Sequence, residues 1–226
     1  MERVQYYSLT DQVYDSIKSG ILQGKIRAQE KLDINKLAHV LGVSRMPVVD
    51  ALTRLETEGL IERRNRVGTF VRPISQRAFI ELFVAREMIE DWATPYIIER
   101  ASESDLAALQ TLLNEAKQQL LQADPNHFDF PRFNESYDMG FHLGLVRLAD
   151  NRYITESYVQ LNSRIRIGRS FVPMPATRSA MAQTSHEQIL HAFQQRDRQA
   201  ALEEQHSHRQ RSLESTIAVM TECGIE

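Results

Sequence analysis

The chain of 226 residues holds one cysteine, Cys223, and one tryptophan, Trp92. A single thiol excludes an intrachain disulfide framework and any zinc site built from several cysteines. No apolar run approaches the roughly 20 residues that span a bilayer, so no membrane partner is expected. The opening stretch MERVQYYSLTDQV lacks the apolar core of a secretory signal. A cytoplasmic protein fits these absences. There is no internal repeat and no low-complexity tract.

Net positive charge is also missing: the formal charge is −3, which excludes a uniformly basic nucleic-acid binder. The charge is uneven, however. Residues 1–72 carry 12 Lys/Arg against 9 Asp/Glu, and the remainder 15 against 21. Arg63, Arg64, Arg66 and Arg72 fall within one ten-residue stretch. Such asymmetry suggests that one end meets a polyanion, although a solvated surface has the same composition.

What is present is clear periodicity. Leu9, Val13, Ile17 and Ile21 recur every four residues, the stripe of an amphipathic helix that Gly24 can end. Asp33 can cap a short second helix through Leu41, and Gly42-Val43 makes a turn. Ser44 can cap a third helix that buries Val48, Ala51, Leu52 and Leu55, with Pro47 tolerated in its first turn and Gly59 as its stop. The period then falls to two. Residues 60–64 and 69–71 read as short strands joined by Asn65-Arg66-Val67-Gly68, and Pro73 closes the unit. Three helices and a β-hairpin are the order of a winged helix-turn-helix. Beyond it the sequence predicts six helices, at 76–101, 103–123, 129–148, 152–171, 177–195 and 197–222. Asp124-Pro125, Asn151 and Pro173-Met174-Pro175 mark the breaks, and such short connections imply antiparallel neighbours. The expected architecture is mainly α: a winged helix-turn-helix over 1–73, then an all-helical antiparallel bundle over 74–226.

In a helix-turn-helix the second helix enters the major groove with its N-terminal residues at the base edges. Here that helix starts at Ser44, and the row Arg45, Val49 and Thr53 lies off the core face. Ser44, Arg45 and the neighbouring Met46 are expected to contact bases or phosphates. Arg54, Arg64 and Arg66 are expected on phosphates, and Gly68 is expected to let the wing backbone approach the duplex. Such arginines would also serve a plain soluble subdomain. The stretch LAHVLGVSRMPVVDALTRLETEGLIERRNRVGTFV adds to this, because it closely resembles the GntR family of bacterial regulators. That family runs LA-x-x-LGVSR-x-PVREAL-x-RLE-x-EGL and then a Gly-x-x-Val wing. The resemblance covers nearly all of residues 9–72 and implies DNA binding. Two positions depart from it. Val49-Asp50 replaces the usual Arg-Glu, so a thymine methyl contact could replace an arginine contact and the operator sequence stays open. Ala28-Gln29 replaces the usual Pro-Gly, a change expected to affect loop geometry alone.

The second half carries Asp138 and His142 at i and i+4 on one helix, His186 on a later one, and His206 and His208 on the last. Imidazoles with one carboxylate suit zinc, nickel, copper or iron(II), yet surface or core histidines would give the same spacing. This half also resembles the all-helical FCD domain of the FadR subfamily. The matching pieces are Arg86-x-x-x-Glu90, Asp138-x-x-x-His142 followed by Asn151, Ser185-His186-Glu187-x-Ile189-Leu190, and Asp197-x-x-x-Ala201 leading to His208. The resemblance implies a divalent metal on Asp138, His142, His186 and His208, beside an effector cavity. Zinc comes first, with nickel, manganese or iron(II) as alternatives. Counting from Ala201 selects His208 over His206, and His208 shares its face with the small residues Ala201, Ser212 and Ser215. Arg86 is then the expected partner of an effector carboxylate, although an i+4 ion pair with Glu90 competes for it. Arg164 and Arg166 are secondary candidates. The whole reads as a homodimeric, ligand-responsive regulator, a repressor by family habit, on a two-fold-related double-stranded operator. Two other classes share these residues: a metal-dependent hydrolase or lyase, and a constitutive DNA binder with a structural metal.

Overall fold

The structure, a computed structural model, describes residues 8–124, 127–170 and 174–225. The breaks expected at Pro125 and Pro173, and the helix end expected at residue 171, lie outside the described residues. After Ile74 the chain divides into two compact units.

The first unit holds α1 (Leu9–Leu22), α2 (Ile34–Leu41), α3 (Arg45–Thr57), β1 (Ile61–Arg64) and β2 (Gly68–Val71). Local signals start each helix. Ser8 and Asp11 form a reciprocal capping box on α1, and the Asp33 side chain accepts from the N–H groups of Asn35 and Lys36 on α2. The apolar stripe Val13, Ile17 and Ile21 is buried, and α1 packs on α3, which buries Val48, Ala51, Leu52 and Leu55. Leu60, Ile61 and Val71 close this core from the hairpin. The strands pair antiparallel from Ile61↔Val71 to Arg64↔Gly68.

The Ala28-Gln29 departure has a measurable consequence here. Glu30 N–H closes a turn onto Arg27 C=O, and Gln29 within it adopts φ 62°. That is the left-handed region where glycine carries no Cβ penalty. The change therefore loads strain onto one residue rather than altering loop geometry alone.

The second unit contains α4 (Gln76–Arg100), α5 (Glu103–Gln122), α8 (Arg152–Ser170), α9 (Ala176–Gln194) and α10 (Arg198–Glu222). The helix expected over 129–148 is corrected: it is split. A short α6 (Phe130–Phe133) runs into a π-helical turn (Asn134–Asp138) and then α7 (Met139–Arg147). Met139 N–H bonds to Asn134 C=O, one residue further back than in an α-helix. Apolar spacing does not register one inserted residue, so the sequence reads as continuous.

The bundle has an apolar end and a polar end. Ala93, Ile97, Leu109, Leu113, Phe141, Leu145, Ile189 and Phe193 form one cluster between α4, α5, α7 and α9. Toward the other end of α4 and α9, and beside Phe141 on α7, the buried residues become polar: Arg86 and Glu90, His186, and His142. The apolar end supplies the burial that allows the polar end to exist.

The strain at Gln29 gives a direct test. Gln29→Gly is expected to stabilise the first unit by about 0.5–1 kcal/mol, the left-handed penalty less the extra chain entropy of glycine. Urea unfolding measures it, and an unchanged or lowered midpoint would mean that the turn is not strained.

Candidate DNA-reading surface and metal centre

Ser44 occupies the N-cap position of α3, but its hydroxyl makes no cap hydrogen bond. Ser44, Arg45 and Met46 are exposed, and Val49 is half-buried one turn on. Among the described residues, Ser44, Arg45 and Arg66 have no ion pair and no side-chain hydrogen bond. Arg66 stands in the wing turn at φ 61°. The other expected contacts are already engaged in the fold. Thr53 Oγ1 donates to Val49 C=O at 2.9 Å and accepts from Arg63 at 2.7 Å. Arg54 pairs with Asp11 at 3.1 Å and lies over the Tyr14 ring at 3.7 Å. Arg64 pairs with Glu62 at 2.7 Å and covers Phe70. Gly68 has φ 139°, and a Cβ there would fall 2.6 Å from Lys31 Cε. The backbone conformation thus favours glycine here apart from any approach to DNA, while the Lys31 side chain is flexible enough to yield.

In the second unit the π turn and α7, α9 and α10 bring Asp138, His142, His186 and His208 together. All four are buried, and one ligand atom from each lies within 4.8 Å of the others. The His142, His186 and His208 Nε2 atoms stand 3.1, 3.2 and 3.3 Å apart, and Asp138 Oδ1 is 3.6 Å from His186 Nε2. The donor set fits a metal. Two nitrogens bound at about 2.1 Å stand roughly 3.0 Å apart at a right angle and roughly 3.4 Å apart at the tetrahedral angle. His206, by contrast, is exposed and pairs with Glu87 at 2.9 Å.

The surroundings hold these side chains in the protonation states that ligation needs. Burial and the nearby positive charges push all three imidazoles below their usual range, His186 down to about 3, which keeps them neutral. Burial alone would raise the Asp138 carboxyl. Arg169 at 2.7 Å, with Arg86 further off, outweighs it and keeps Asp138 ionised. Asn134 donates to the same oxygen that Arg169 holds, Oδ2, so Oδ1 is the one turned to the histidines. Glu90 Oε1 sits 3.3 Å from His142 Nδ1, the side of the ring away from the cluster. Glu90 is held in turn by Arg86 (2.7 Å), Arg209 (3.1 Å) and the Tyr158 hydroxyl. A carboxylate behind a ligating imidazole fixes ring orientation and tautomer.

Beside the cluster opens a cavity of about 160 Å³, with Asp138, His186 and His208 on its wall. A water needs about 10–15 Å³ on this measure, so the space suits a small metabolite. None of the three arginines expected at an effector lines it. Arg86 is fully buried in its ion pair with Glu90, Arg164 is exposed, and Arg166 pairs with Glu135 at 2.7 Å. The arginines on the wall are Arg169, Arg178 and Arg211, which sequence reasoning missed. For Arg169 a signal existed. Tyr158, Asn162, Ile165 and Arg169 recur at helical spacing on α8 and are all buried, whereas Arg164 and Arg166 flank that stripe.

Comparison with known proteins settles the family. The model for "Bacterial regulatory proteins, gntR family" matches residues 9–71, and the FCD domain model matches residues 81–211, more than half of the chain. The chain belongs to the GntR family. Its FCD domain places it in the FadR-like subfamily. One GntR-family relative, the uncharacterized HTH-type transcriptional regulator YdhC of Bacillus subtilis, is 25% identical over 84% of this chain and 83% of its own length. The Nta operon transcriptional regulator of Aminobacter aminovorans is 28% identical, covering 73% of this chain and 72% of that protein. The gluconate operon transcriptional repressor of Bacillus subtilis is 24% identical, over 85% and 78%. Among solved structures, E. coli McbR/YncC aligns with a TM-score of 0.80 at 22% identity, covering 93% of this chain and 98% of that one; this shows a shared fold. The GntR family and these relatives are transcriptional regulators and not enzymes, which removes the hydrolase or lyase reading. Among the described residues no helix is long and apolar enough to cross a membrane.

For this GntR regulator, Arg45→Ala is expected to cost about 1–3 kcal/mol on its selected operator and to relax the preference at one base pair. Arg66→Ala should instead weaken all duplexes alike and lower the salt slope by about one. Binding-site selection followed by salt titration separates the two. An unchanged sequence preference in R45A removes Arg45 from base readout.

Proposed function

We propose that this regulator is a ligand-responsive repressor, with a divalent metal held by Asp138, His142, His186 and His208 and a carboxylate-bearing effector in the adjoining cavity. The observation that carries the reading is the convergence of three Nε2 atoms within 3.3 Å, beside a cavity walled by Arg169, Arg178 and Arg211. When bound, the metal would act as a Lewis acid that takes one carboxylate of the ligand, with zinc the first expectation. The chain's own residues do the rest. Arg169 keeps Asp138 ionised and aimed, Glu90 orients His142, and Arg211, held by Ser185 Oγ at 3.0 Å, adds positive charge near the imidazoles. Repression is supported by a relative that is named a gluconate operon repressor.

The regulator acts as a homodimer on a palindromic operator in this reading. Ile80, Val84 and Met88 support that assembly: they lie four residues apart on α4 and are 41%, 51% and 70% exposed. An apolar stripe of this kind is suited to cover its own copy across a two-fold axis. Ligand binding then changes DNA affinity only through its differential affinity for two poses of the reading heads.

The test begins with thermal unfolding after chelation, then with zinc restored. Zinc is expected to raise the midpoint of the wild type and of His206→Ala, and to fail with His208→Ala. Organic acids are then added. One at one hundred times its dissociation constant adds about 2.7 kcal/mol, and does so only with metal present. A metal that stabilises while DNA affinity ignores every acid would favour the constitutive binder with a structural metal. Equal zinc response in H206A and H208A would overturn the ligand set. Separately, Val84→Glu is expected to turn dimer into monomer in sedimentation velocity and to weaken operator binding at least about tenfold. A dimer that survives V84E moves the interface elsewhere.

A further inference from the structure

We propose that the ligand of this cavity carries a second anionic group, bound by Arg178 and Ser179 at the end remote from the histidines. The inference rests on the acid-binding reading above and extends it to a ligand class: an acid with two anionic ends and an apolar middle.

The two ends are set apart by helix register. α9 and α10 run antiparallel along the cavity: His186 meets His208, Arg211 reaches Ser185, and Arg178 reaches Ser215. Arg178 precedes His186 by eight residues, and Ser215 follows His208 by seven. At 1.5 Å per residue, the Arg178 end lies about 10–12 Å along the helices from the imidazoles.

Three observations make that end an anion site. Arg178 is on the cavity wall, and Nη1 is held at 2.9 Å by Ser215 C=O and at 2.6 Å by Ser215 Oγ. Among the described residues no carboxylate pairs with it, so its charge is fixed in place and unneutralised. Next to it, Ser179 Oγ is buried on the same wall without a hydrogen-bond partner among the described residues. A buried hydroxyl left so carries a desolvation cost that a ligand oxygen would remove. Both residues sit in the first turn of α9, where the helix dipole favours negative charge; their own N–H groups bond to Pro175 C=O, and the N-cap Pro175 supplies no side-chain acceptor. Arg169 cannot substitute, being bound to Asp138 and Ser212. Between the two ends Met181 and Ala182 on α9, with Phe130 and Phe133, give the wall an apolar stretch, which Ser185, Arg211 and Ser212 flank on the histidine side. Allowing for the reach of a metal at one end and a guanidinium at the other, a straight diacid of about six to eight carbons spans the gap.

Calorimetric titration of the zinc-loaded protein tests this with straight-chain dicarboxylates of about four to ten carbons and the matching monocarboxylates. The expected result is an affinity optimum at about six to eight carbons, with the diacid at least about tenfold tighter than the monoacid of equal length. Arg178→Gln should reduce the diacid to the level of the monoacid, and Arg178→Lys should recover part of the difference. The zinc-dependent rise in melting temperature, read on the same samples, shows that each variant is folded. If diacids and monoacids bind alike in the wild type, or if the optimum survives R178Q, the second subsite is wrong while the acid-binding reading stands. If no acid of either kind binds the zinc-loaded wild type, that reading falls and the diacid proposal falls with it.

Discussion

Three neutral, buried imidazoles stand Nε2 to Nε2 at 3.1–3.3 Å. Each ring has one N–H and one lone pair, so a neutral triangle leaves lone pairs or donors opposed in a low dielectric. A cation at its centre resolves the conflict, and most of the polar half of the bundle is arranged around that requirement. Asp138 is aimed by Asn134 and Arg169, and His142 is backed by Glu90. Glu90 is fully buried and ionised, and it is tolerable only because Arg86, Arg209 and Tyr158 surround it. The RxxxE pair on α4 thus braces Glu90 behind His142, and Arg86 does not line the cavity.

The π turn serves the same requirement. A regular helix through 129–148 would place Asn134 and Asp138 at ordinary i,i+4 geometry. After the π turn, α7 turns Phe141 and Leu145 to the apolar core, and Asp138 and His142, one α-helical turn apart, both reach His186 and His208. Irregular turns of this type recur at functional sites because they re-aim side chains without breaking the helix. The DNA-reading unit shows the converse economy. Thr53, Arg54 and Arg64 are occupied in holding α1, α3 and the hairpin together, which leaves the start of α3 and the wing tip uncommitted.

Much of this was legible in the residues. Apolar spacing of four located α1 to α3, the change of period to two located the hairpin, and caps such as Asp33 and Ser44 marked helix starts to within a residue or two. The family resemblance favoured His208 over His206, and their projection from opposite sides of α10, one beside Ala201 and the other beside Leu202, agreed with it. The arginines were harder. Arg86, Arg164 and Arg166 are near the site in sequence logic, yet only the packed bundle shows which guanidinium is spent on a carboxylate and which faces open space.

That difference has one physical origin. Periodicity, capping and turn chemistry act over a few residues, so the chain by itself determined most of its elements and their order, three helices and a hairpin followed by a helical bundle. The separation between Arg178 and the histidines, the loss of Arg86 to Glu90 and the reorientation at the π turn depend on the register of helices distant in sequence. Packing against neighbours sets that register, and only the tertiary structure decides it.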